Sequence, residues 1–204
     1  DALTPEELMN IIREGGIVGM GGATFPTHVK LSSGLGKVDT VIVNAGECEP
    51  YITSDDSLLR TNPEQVLKGI QLLQKVLKDE DHVILAVEDN KQEAIREVKK
   101  ILPNYPGIQL RILPTRYPQG SEKQLIQAVT KREVKPGQLP VSVGCAVFNV
   151  STYAAIYRAV CLGLPLTRRI VTVSGEAIAE PQNFIVPIGT TFHDLIELAG
   201  GLHD

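Results

Sequence analysis

Several features that mark large classes of protein are missing from this 204-residue sequence. It has no basic run, and its net charge is −4, so nucleic acid is not an expected partner, because phosphate backbones bind basic surfaces. No apolar run approaches the roughly 18 residues of a membrane-spanning helix. No signal peptide is visible, and we therefore expect a cytoplasmic location.

Cysteine and histidine are too scarce and too scattered to indicate a metal site. The four histidines are widely spaced, and the three cysteines, at positions 48, 145 and 161, form no C-x-x-C pair. A disulfide framework, a zinc site and an iron–sulfur site are therefore not expected within this chain. The sequence begins at Asp1 without a methionine, which suggests a piece of a longer protein.

Strand-like and helix-like segments alternate along most of the chain. Thr4, Pro5 and Glu7 predict a capped helix that the paired Gly15 and Gly16 end. Helices with apolar residues three or four positions apart then alternate with short β-branched runs, predicted as strands at 40–45, 82–87, 108–113 and 141–148. This alternation predicts an α/β fold with a mainly parallel, Rossmann-like sheet flanked by helices.

The character of the sequence changes near residue 169. Two β-rich runs flank the turn "EPQN", and a helix is predicted from Thr191. We therefore expect a first domain over 1–168 and a second, small unit over 169–204 that is cut off at its end.

The stretch "GMGGATFPTHVK", residues 19–30, is unusually rich in glycine. It does not fit the G-x-G-x-x-G dinucleotide fingerprint, because Thr24 stands where the third glycine belongs, and it lacks the Lys-Ser/Thr ending of a phosphate-binding P-loop. A tight connection is one reading. The other is a binding loop, since open main chain, the Phe25 ring, a helix starting at Pro26 and the Lys30 cation together suit a planar anionic cofactor.

Polar loops follow the predicted strands at the edge where parallel sheets bind ligands. In "NAGECEPYITSDD", Glu47 and Glu49 are placed to accept hydrogen bonds from hydroxyl groups and would lie on one side of an extended chain. Asp55 and Asp56 are predicted to be solvated loop charges. Cys48 is expected to be a small buried residue rather than a nucleophile.

Two further loops precede predicted helices. In "YPQGSEK", Tyr117 and Gly120 form a turn, and Tyr117 could also pack in the core. In "FNVST", Asn149, Ser151 and Thr152 are preferred helix caps. The same helix start could bind phosphate through its free N–H groups, and both readings stay open.

Four segments, in this order, resemble the RnfC family, the NADH-oxidising flavoprotein subunit of the Rnf ion-translocating ferredoxin:NAD oxidoreductase. They more distantly resemble the flavoprotein subunit of respiratory complex I. The segments are "GIVGMGGATFPTHVKL", "VNAGECEPYITSDD", "YPQGSEKQLI" and "NVSTYAAIYRAV". The first two are highly specific in combination. Residues from 169 onward are similar to the start of the family's soluble-ligand-binding β-grasp (SLBB) domain.

The resemblance implies that FMN and NAD(H) bind at these loops and that hydride passes between them without a protein nucleophile. Gly19, Gly21, Gly22 and Lys30 match the flavin-binding loop, with Lys30 as a stabiliser of the flavin. Phe25 matches the aromatic residue that stacks on the nicotinamide nucleotide. The other matched positions are Asn44, Glu47 and Glu49 in the second loop, Tyr117, Gly120 and Glu122 in the third, and Asn149 and Thr152 near the flavin phosphate.

The sequence also departs from the family pattern. Thr24 and Ser121 replace glycines that are common in the family, which puts FMN affinity in question, and Gly46 stands where the complex I relative is acidic. The family's cysteine-rich motifs for 4Fe–4S clusters are not in this chain.

The resemblance therefore implies electron transfer to clusters outside the chain. The implied partners are NADH and the other Rnf subunits, at the inner face of the cell membrane. Two alternatives stay open: a cobalamin-reductase-type relative with the same core, and a non-catalytic docking or assembly module with a decayed flavin site.

Overall fold

A computed structural model describes residues 3–77 and 82–203, so the outer ends of the two predicted domains, residues 1 and 204, lie outside the described residues. The helices are α1 (Pro5–Glu14), α2 (Thr27–Gly34), α3 (Ser54–Thr61), α4 (Pro63–Leu77), α5 (Gln92–Ile101), α6 (Glu122–Thr130), α7 (Val150–Leu162) and α8 (Phe192–Leu198). The strands are β1 (Thr40–Ala45), β2 (Val83–Glu88), β3 (Ile108–Leu113), β4 (Cys145–Asn149), β5 (Arg168–Val173) and β6 (Gln182–Pro187).

The first four strands form one parallel sheet in the order β3-β2-β1-β4. The α/β prediction is therefore confirmed. Strand β1 lies inside the sheet, and its Asn44 is in register with Asn149 at the end of β4. Because parallel strands end at the same edge, the loops that follow β1 and β4 leave the sheet side by side.

Helices cover both faces of this sheet. Val41 and Val43 of β1 pack on one face with residues of α1, α4, α5 and α7. Ile42, between them, packs on the other face with Leu125 and Ile126 of α6. The alternation follows from the period of two along a strand, and burial on both faces explains why β1 is almost continuously apolar.

Helices α4 and α7 make the closest helix contact on the larger face. A Cβ added at Gly69 would overlap the main chain of Tyr153, so only glycine permits this approach. Tyr153 is fully buried, and its ring packs edge-on against Phe148 with centroids 5.9 Å apart. The contact anchors α7, which begins at the sheet edge that carries the polar loops.

The second unit is an antiparallel β5–β6 hairpin followed by α8. Helix α8 begins after Thr191, where the sequence predicts a helix, and Thr191 and Asp194 form a capping box at its start. The hairpin is bonded to the first unit, because Thr53 N donates to Thr172 Oγ1 at 3.2 Å and Asn183 Nδ2 donates to Thr53 Oγ1 at 2.9 Å.

Three sequence predictions about local structure are wrong. The strand predicted at 141–148 begins only at Cys145, because a 3-10 turn over Pro140–Val143 ends at Gly144 with φ +72°. The predicted loop around Asp55 contains helix α3. The sequence predicts a helix from about Ser121 to Arg132, but α6 ends at Thr130, since Lys131 adopts a left-handed conformation with φ +65°.

Candidate functional site

Four loops meet at the carboxyl edge of the parallel sheet. The glycine loop lies between α1 and α2, and the second loop follows β1. The third loop precedes α6, and the fourth is the turn from β4 into α7. The adjacency of Asn44 and Asn149 in the sheet register brings the second and fourth together. Side-chain contacts bring in the other two.

The glycine loop is closed at its base and exposed along its length. Gly19 N donates to Phe25 O at 2.8 Å, beside a single bridge between Val18 and Pro26. Residues 21–25 between these contacts are exposed. Gly22 has φ +123°, a conformation that favours glycine, and Thr24 has φ +51°. Thr24 therefore stands in a backbone conformation that favours glycine, at the position where the resemblance leads us to expect glycine.

The glycine loop is fixed to the start of α7. Met20 N donates to Thr152 Oγ1 at 3.0 Å, and a Cβ added at Gly21 would lie 3.3 Å from Asn149 Cβ. Asn149 caps α7, because its Oδ1 accepts from Ser151 N at 2.8 Å. Asn149 is thus the cap of α7, while Thr152 binds the glycine loop through Met20 N. The exposed glycine main chain lies directly beside a helix N-terminus, an arrangement that favours anions.

The second and third loops touch through glycine. Asn44 Nδ2 donates to Gly120 O at 2.8 Å, and Asn44 Oδ1 accepts from Gly46 N at 2.9 Å. A Cβ added at Gly46 would lie 2.8 Å from Gly120 Cα. This contact gives a physical reason for the departure at Gly46, because an acidic side chain there would separate the loops. Ser121 has φ −63°, so its backbone does not require the family's glycine.

Cys48 is not a buried residue, contrary to the sequence prediction. It is half-exposed, and its Sγ accepts a hydrogen bond from Gly120 N at 3.0 Å. The sequence could not show this contact, because it joins two loops that are distant in the chain.

Lys30 connects the glycine loop to the third loop. Its Nζ lies 2.6 Å from Glu122 Oε1 at the start of α6 and 5.2 Å from the centroid of the Phe148 ring at the end of β4. The side chains of Lys30 and Glu122 are 31% and 41% exposed, so the pair borders solvent. The cation therefore lies at the meeting point of three of the four loops.

Glu47 and Glu49 differ in their surroundings, and the chain bends at Glu49. The Glu47 side chain is 3% exposed, whereas Glu49 is exposed. The Glu47 carboxylate accepts from Asp55 N at 2.8 Å and from Lys91 Nζ at 3.0 Å. It caps α3 from outside the helix, and its oxygens are already engaged by protein donors.

Asp55 is buried rather than solvated, which overturns the sequence prediction. Its carboxylate accepts from Asn149 Nδ2 at 2.5 Å and from Ser151 Oγ at 2.6 Å. Burial raises the pKa of Asp55 to about 6, although these two hydrogen bonds lower it. Asp56 is not a freely solvated charge either, because its side chain is 14% exposed and pairs with Arg60. The sequence signal for the helix was present, since acidic residues in a first turn are typical of a helix start.

Sequence reasoning also missed Glu88 and Lys91, which follow β2 at the same edge. Glu88 is buried and accepts from Glu47 N at 3.2 Å, and burial raises the pKa of its carboxyl group. The polar sequence that follows strand β2 is the signal that could have found both residues.

The glycine loop and the third loop each carry an exposed aromatic ring. Phe25 is 52% exposed and Tyr117 is 84% exposed, so Tyr117 does not pack in the core. Exposed rings of this size are costly in water and favour stacking on a flat ligand.

Two other depressions in the described part of the chain lie away from these loops. One, of about 460 Å³, runs along α5 beside Ile95 and Lys99. The other, of about 220 Å³, lies at the opposite edge of the sheet beside Thr40 and His82. The candidate site consists instead of the four loops and the exposed main chain of residues 21–25.

No group of three or more His, Cys, Asp or Glu residues within 3–77 and 82–203 could hold a metal ion. None of the helices in those ranges has the length and apolar character that crossing a membrane requires.

Comparison with known proteins gives two domain matches and a set of relatives. The Nuo51 FMN-binding domain model matches residues 12–158, and the SLBB domain model matches residues 170–204. The RnfC-type subunit of the proton-translocating ferredoxin:NAD(+) oxidoreductase complex of Clostridium ljungdahlii is 48% identical over 99% of this chain and 44% of its own length. The corresponding subunit of the ion-translocating oxidoreductase complex of Vibrio cholerae is 43% identical over 97% of this chain and 25% of its own length. The chain thus spans less than half of each of these relatives.

The fold also matches a solved structure. A chain in the crystal structure of an NAD+-reducing [NiFe]-hydrogenase in the H2-reduced state superposes with a TM-score of 0.84 and 23% identity, covering 96% of this chain and 39% of that chain. At this identity the likeness shows a shared fold.

Proposed function

The chain belongs to the Nuo51 FMN-binding domain family and is homologous to the RnfC subunit of ion-translocating oxidoreductase complexes, and we propose that it binds FMN and NAD(H) at the carboxyl edge of its parallel sheet. In this proposal the whole protein moves electrons between NADH and clusters outside this chain. The cofactor domain comprises residues 1–168, and residues 169–204 begin the SLBB domain.

The observation that carries the proposal is the convergence of four loops at the carboxyl edge of the parallel sheet. Met20 is bonded to Thr152, Asn44 to Gly120, and Lys30 to Glu122. Each contact joins a different pair of loops. The four loops combine exposed glycine main chain, a helix N-terminus, a cation and exposed aromatic rings, which suit a flat ring that carries a phosphate.

The residues fit FMN by the chemistry of the surfaces they offer. Gly19, Gly21 and Gly22 provide main chain that a flat ring can approach closely. The N-terminus of α7 at Asn149 and Thr152 lies beside this main chain, and the positive end of its helix dipole favours the phosphate. The tight packing of Gly21 on Asn149 supports this assignment, because it puts ring surface and phosphate site next to each other.

FMN, when bound, would accept a hydride from NADH and release its electrons one at a time. The protein residues position and stabilise rather than react. Phe25 offers a ring on which the nicotinamide nucleotide can stack, and Lys30 offers a positive charge for an anionic flavin. Tyr117 and Glu49 lie exposed where they can contact the nucleotide.

Asn44, Glu47, Gly120 and Glu122 have supporting roles in this proposal. Asn44 and Gly120 join the second and third loops, and Glu122 pairs with the Lys30 ammonium group in the absence of a ligand. Glu47 caps α3 through its carboxylate, so it acts on the cofactor through the loop that it shapes. The proposal therefore keeps these four positions in the cofactor site while giving them distinct physical tasks.

The proposal extends to location and partners. The relatives are named as subunits of ion-translocating complexes. By homology the chain joins other Rnf subunits at the inner face of the cell membrane, where the complex carries the clusters that receive the electrons.

Titration with FMN tests the cofactor assignment. Purified protein is added to FMN, flavin fluorescence and visible absorbance are followed, and riboflavin is titrated in parallel. We expect FMN to bind more tightly than riboflavin, because only FMN has the phosphate that the α7 N-terminus can hold. A protein that binds neither compound, and that supports no reduction of FMN by NADH, would contradict the proposal.

Phe25→Leu separates the two ligands. FMN affinity is expected to stay near wild type, while the KM for NADH in flavin reduction rises, because the stacking surface is lost. Phe192→Leu is the matched control, since Phe192 is an exposed ring (86%) in the second unit. Equal effects of the two substitutions would contradict the role of Phe25.

A further inference from the structure

The β5–β6 hairpin reaches the glycine loop from the second unit. Arg169 Nη2 donates to Met20 O at 3.1 Å, and Met20 N donates to Thr152 Oγ1 at 3.0 Å. Both main-chain polar groups of one glycine-loop residue are therefore held, the carbonyl by the hairpin and the amide by α7. Met20 is also buried, at 8% exposure. The position of the loop thus depends on a residue outside the cofactor domain.

The hairpin is itself fixed to the first unit close to this contact. Thr172 Oγ1 donates to Asn183 Oδ1 at 2.6 Å, and both residues bond to Thr53. These contacts join β5 and β6 to the residue that precedes α3. A side chain on β5 is therefore held at a defined distance from the start of that helix.

Arg169 also acts on the buried carboxylate that supports the α7 cap. The groups facing Asp55 are Asn149 and Ser151 from α7, Glu47 from the second loop and Arg169 from β5. The charge of Arg169 lowers the pKa of Asp55, and Glu47, which is paired with Lys91, raises it. The same side chain thus holds the glycine loop and favours the ionised form of the group that orients Asn149.

We propose that Arg169 is a positioning residue through which the SLBB hairpin holds the glycine loop and the α7 cap in their FMN-binding arrangement. This inference rests on the proposed function. The second unit then contributes a residue to the cofactor site, because Arg169 of β5 hydrogen-bonds to the glycine loop.

Adjacent arginines on one strand provide the test. Arg169→Met keeps an unbranched apolar stem and removes the charge and donors of the side chain, and Arg169→Lys restores a charged donor. Arg168→Met is the matched control, because Arg168 is the exposed neighbour on β5. We expect FMN to bind about tenfold more weakly to R169M, as for loss of a charged hydrogen bond. R168M should match wild type, and R169K should recover most of the affinity.

The pH profile separates positioning from a general structural effect. FMN affinity is measured from pH 5 to 8 in each variant. The midpoint of the profile should lie at higher pH in R169M than in R168M, because Asp55 loses a nearby positive charge. The FMN phosphate titrates near pH 6, but it does so equally in both variants. If R169M does not fold, Arg169→Gln replaces it, and the same shift in midpoint is expected.

Hydrogen exchange at the Met20 amide tests the contact without FMN. Exchange should be faster in R169M than in R168M. If the wild-type protein binds no FMN, the proposed function fails, while faster exchange would still show that Arg169 holds the loop. Equal affinity, midpoint and exchange in R169M and R168M, or failure of R169K to recover affinity, would overturn the inference.

Discussion

Lys30 Nζ lies 2.6 Å from Glu122 Oε1, so the cation of the glycine loop is paired with a carboxylate of the third loop. Both side chains border solvent, which limits the strength of this pair and allows exchange of partners. An anionic ligand at the four loops would compete with Glu122 for the Lys30 ammonium group.

Glu122→Gln should strengthen FMN binding, by up to about fivefold, because Lys30 no longer has a competing partner. Lys30→Met should weaken it, since the positive charge is lost. Fluorescence titration measures both. Glu64→Gln is the control, because it removes a comparable exposed ion pair, with Lys68 on α4, away from the four loops. If E122Q weakens binding as much as K30M does, Glu122 contacts the cofactor itself and the competition account fails.

Thr24→Gly should stabilise the protein. Thr24 has φ +51°, which costs an L-residue about 1–2 kcal/mol and costs glycine nothing. The expected gain in the free energy of unfolding is about 1 kcal/mol, measured with urea. Ala23→Gly, one residue earlier and without a positive φ, should instead destabilise by about 0.5–1 kcal/mol.

FMN titration of Thr24→Gly also tests the alternative of a decayed flavin site. We expect the affinity to change by less than about threefold, because Thr24 is exposed and the loop is held elsewhere, at Met20. A sharp gain in FMN affinity would favour the decayed site over the working one.

Gly120→Ala should separate the second and third loops. The added Cβ would lie 2.5 Å from Gly46 O, too close for any relaxed contact. The expected results are a loss of about 1–3 kcal/mol in stability and a loss of more than about tenfold in FMN affinity. Ser121→Ala is the control, since its side chain does not cap α6. Wild-type FMN affinity in G120A would contradict the role of this contact.

Asp55→Asn should flatten the dependence of stability on pH. The pKa of Asp55 is raised to about 6 in the folded protein and returns to about 3.9 on unfolding. The folded state therefore binds more protons between these values, so the free energy of unfolding falls as pH rises, by on the order of 3 kcal/mol. Asp55→Asn removes this part of the pH dependence, regardless of how much the substitution changes the free energy of unfolding at a single pH.

Urea unfolding at several pH values from 4 to 7.5 measures the slope. Asp56→Asn alters the neighbouring carboxylate on α3 and leaves Asp55 in place. In this variant the free energy of unfolding should still fall as pH rises. Glu88 contributes a change of the same sign, because its pKa is also raised, so the difference between wild type and D55N isolates Asp55. Parallel curves for those two proteins would rule out the buried carboxylate as the cause.

The local parts of the structure were predictable because their causes are local. The capping box of Thr4 and Glu7 forms as the sequence indicates, and so does the alternation of strands and helices. The glycine loop was also recognisable from its composition. The boundary of β4 was not, because a 3-10 turn ending at Gly144 competes with an apolar run that looks like strand.

The prediction of Asp55 failed for a different reason. A carboxylate in a polar stretch is usually solvated, and the groups that bury this one come from far along the chain. Asn149 and Ser151 are more than ninety residues away, and Glu47 caps α3 from outside the helix. Nothing in the local sequence reports such partners.

The sequence by itself determined the class of fold, the loops rich in glycine and acid, and the capped start of α1, since these follow from side-chain period, φ preferences and capping over a few residues. Only the tertiary structure decided which loop residues meet. The parallel register places Asn44 beside Asn149, glycine allows the loops at residues 46 and 120 to touch, and the hairpin brings Arg169 to Met20. These contacts join distant segments, and they exist only because burial of the apolar sheet and helix faces packs those segments together.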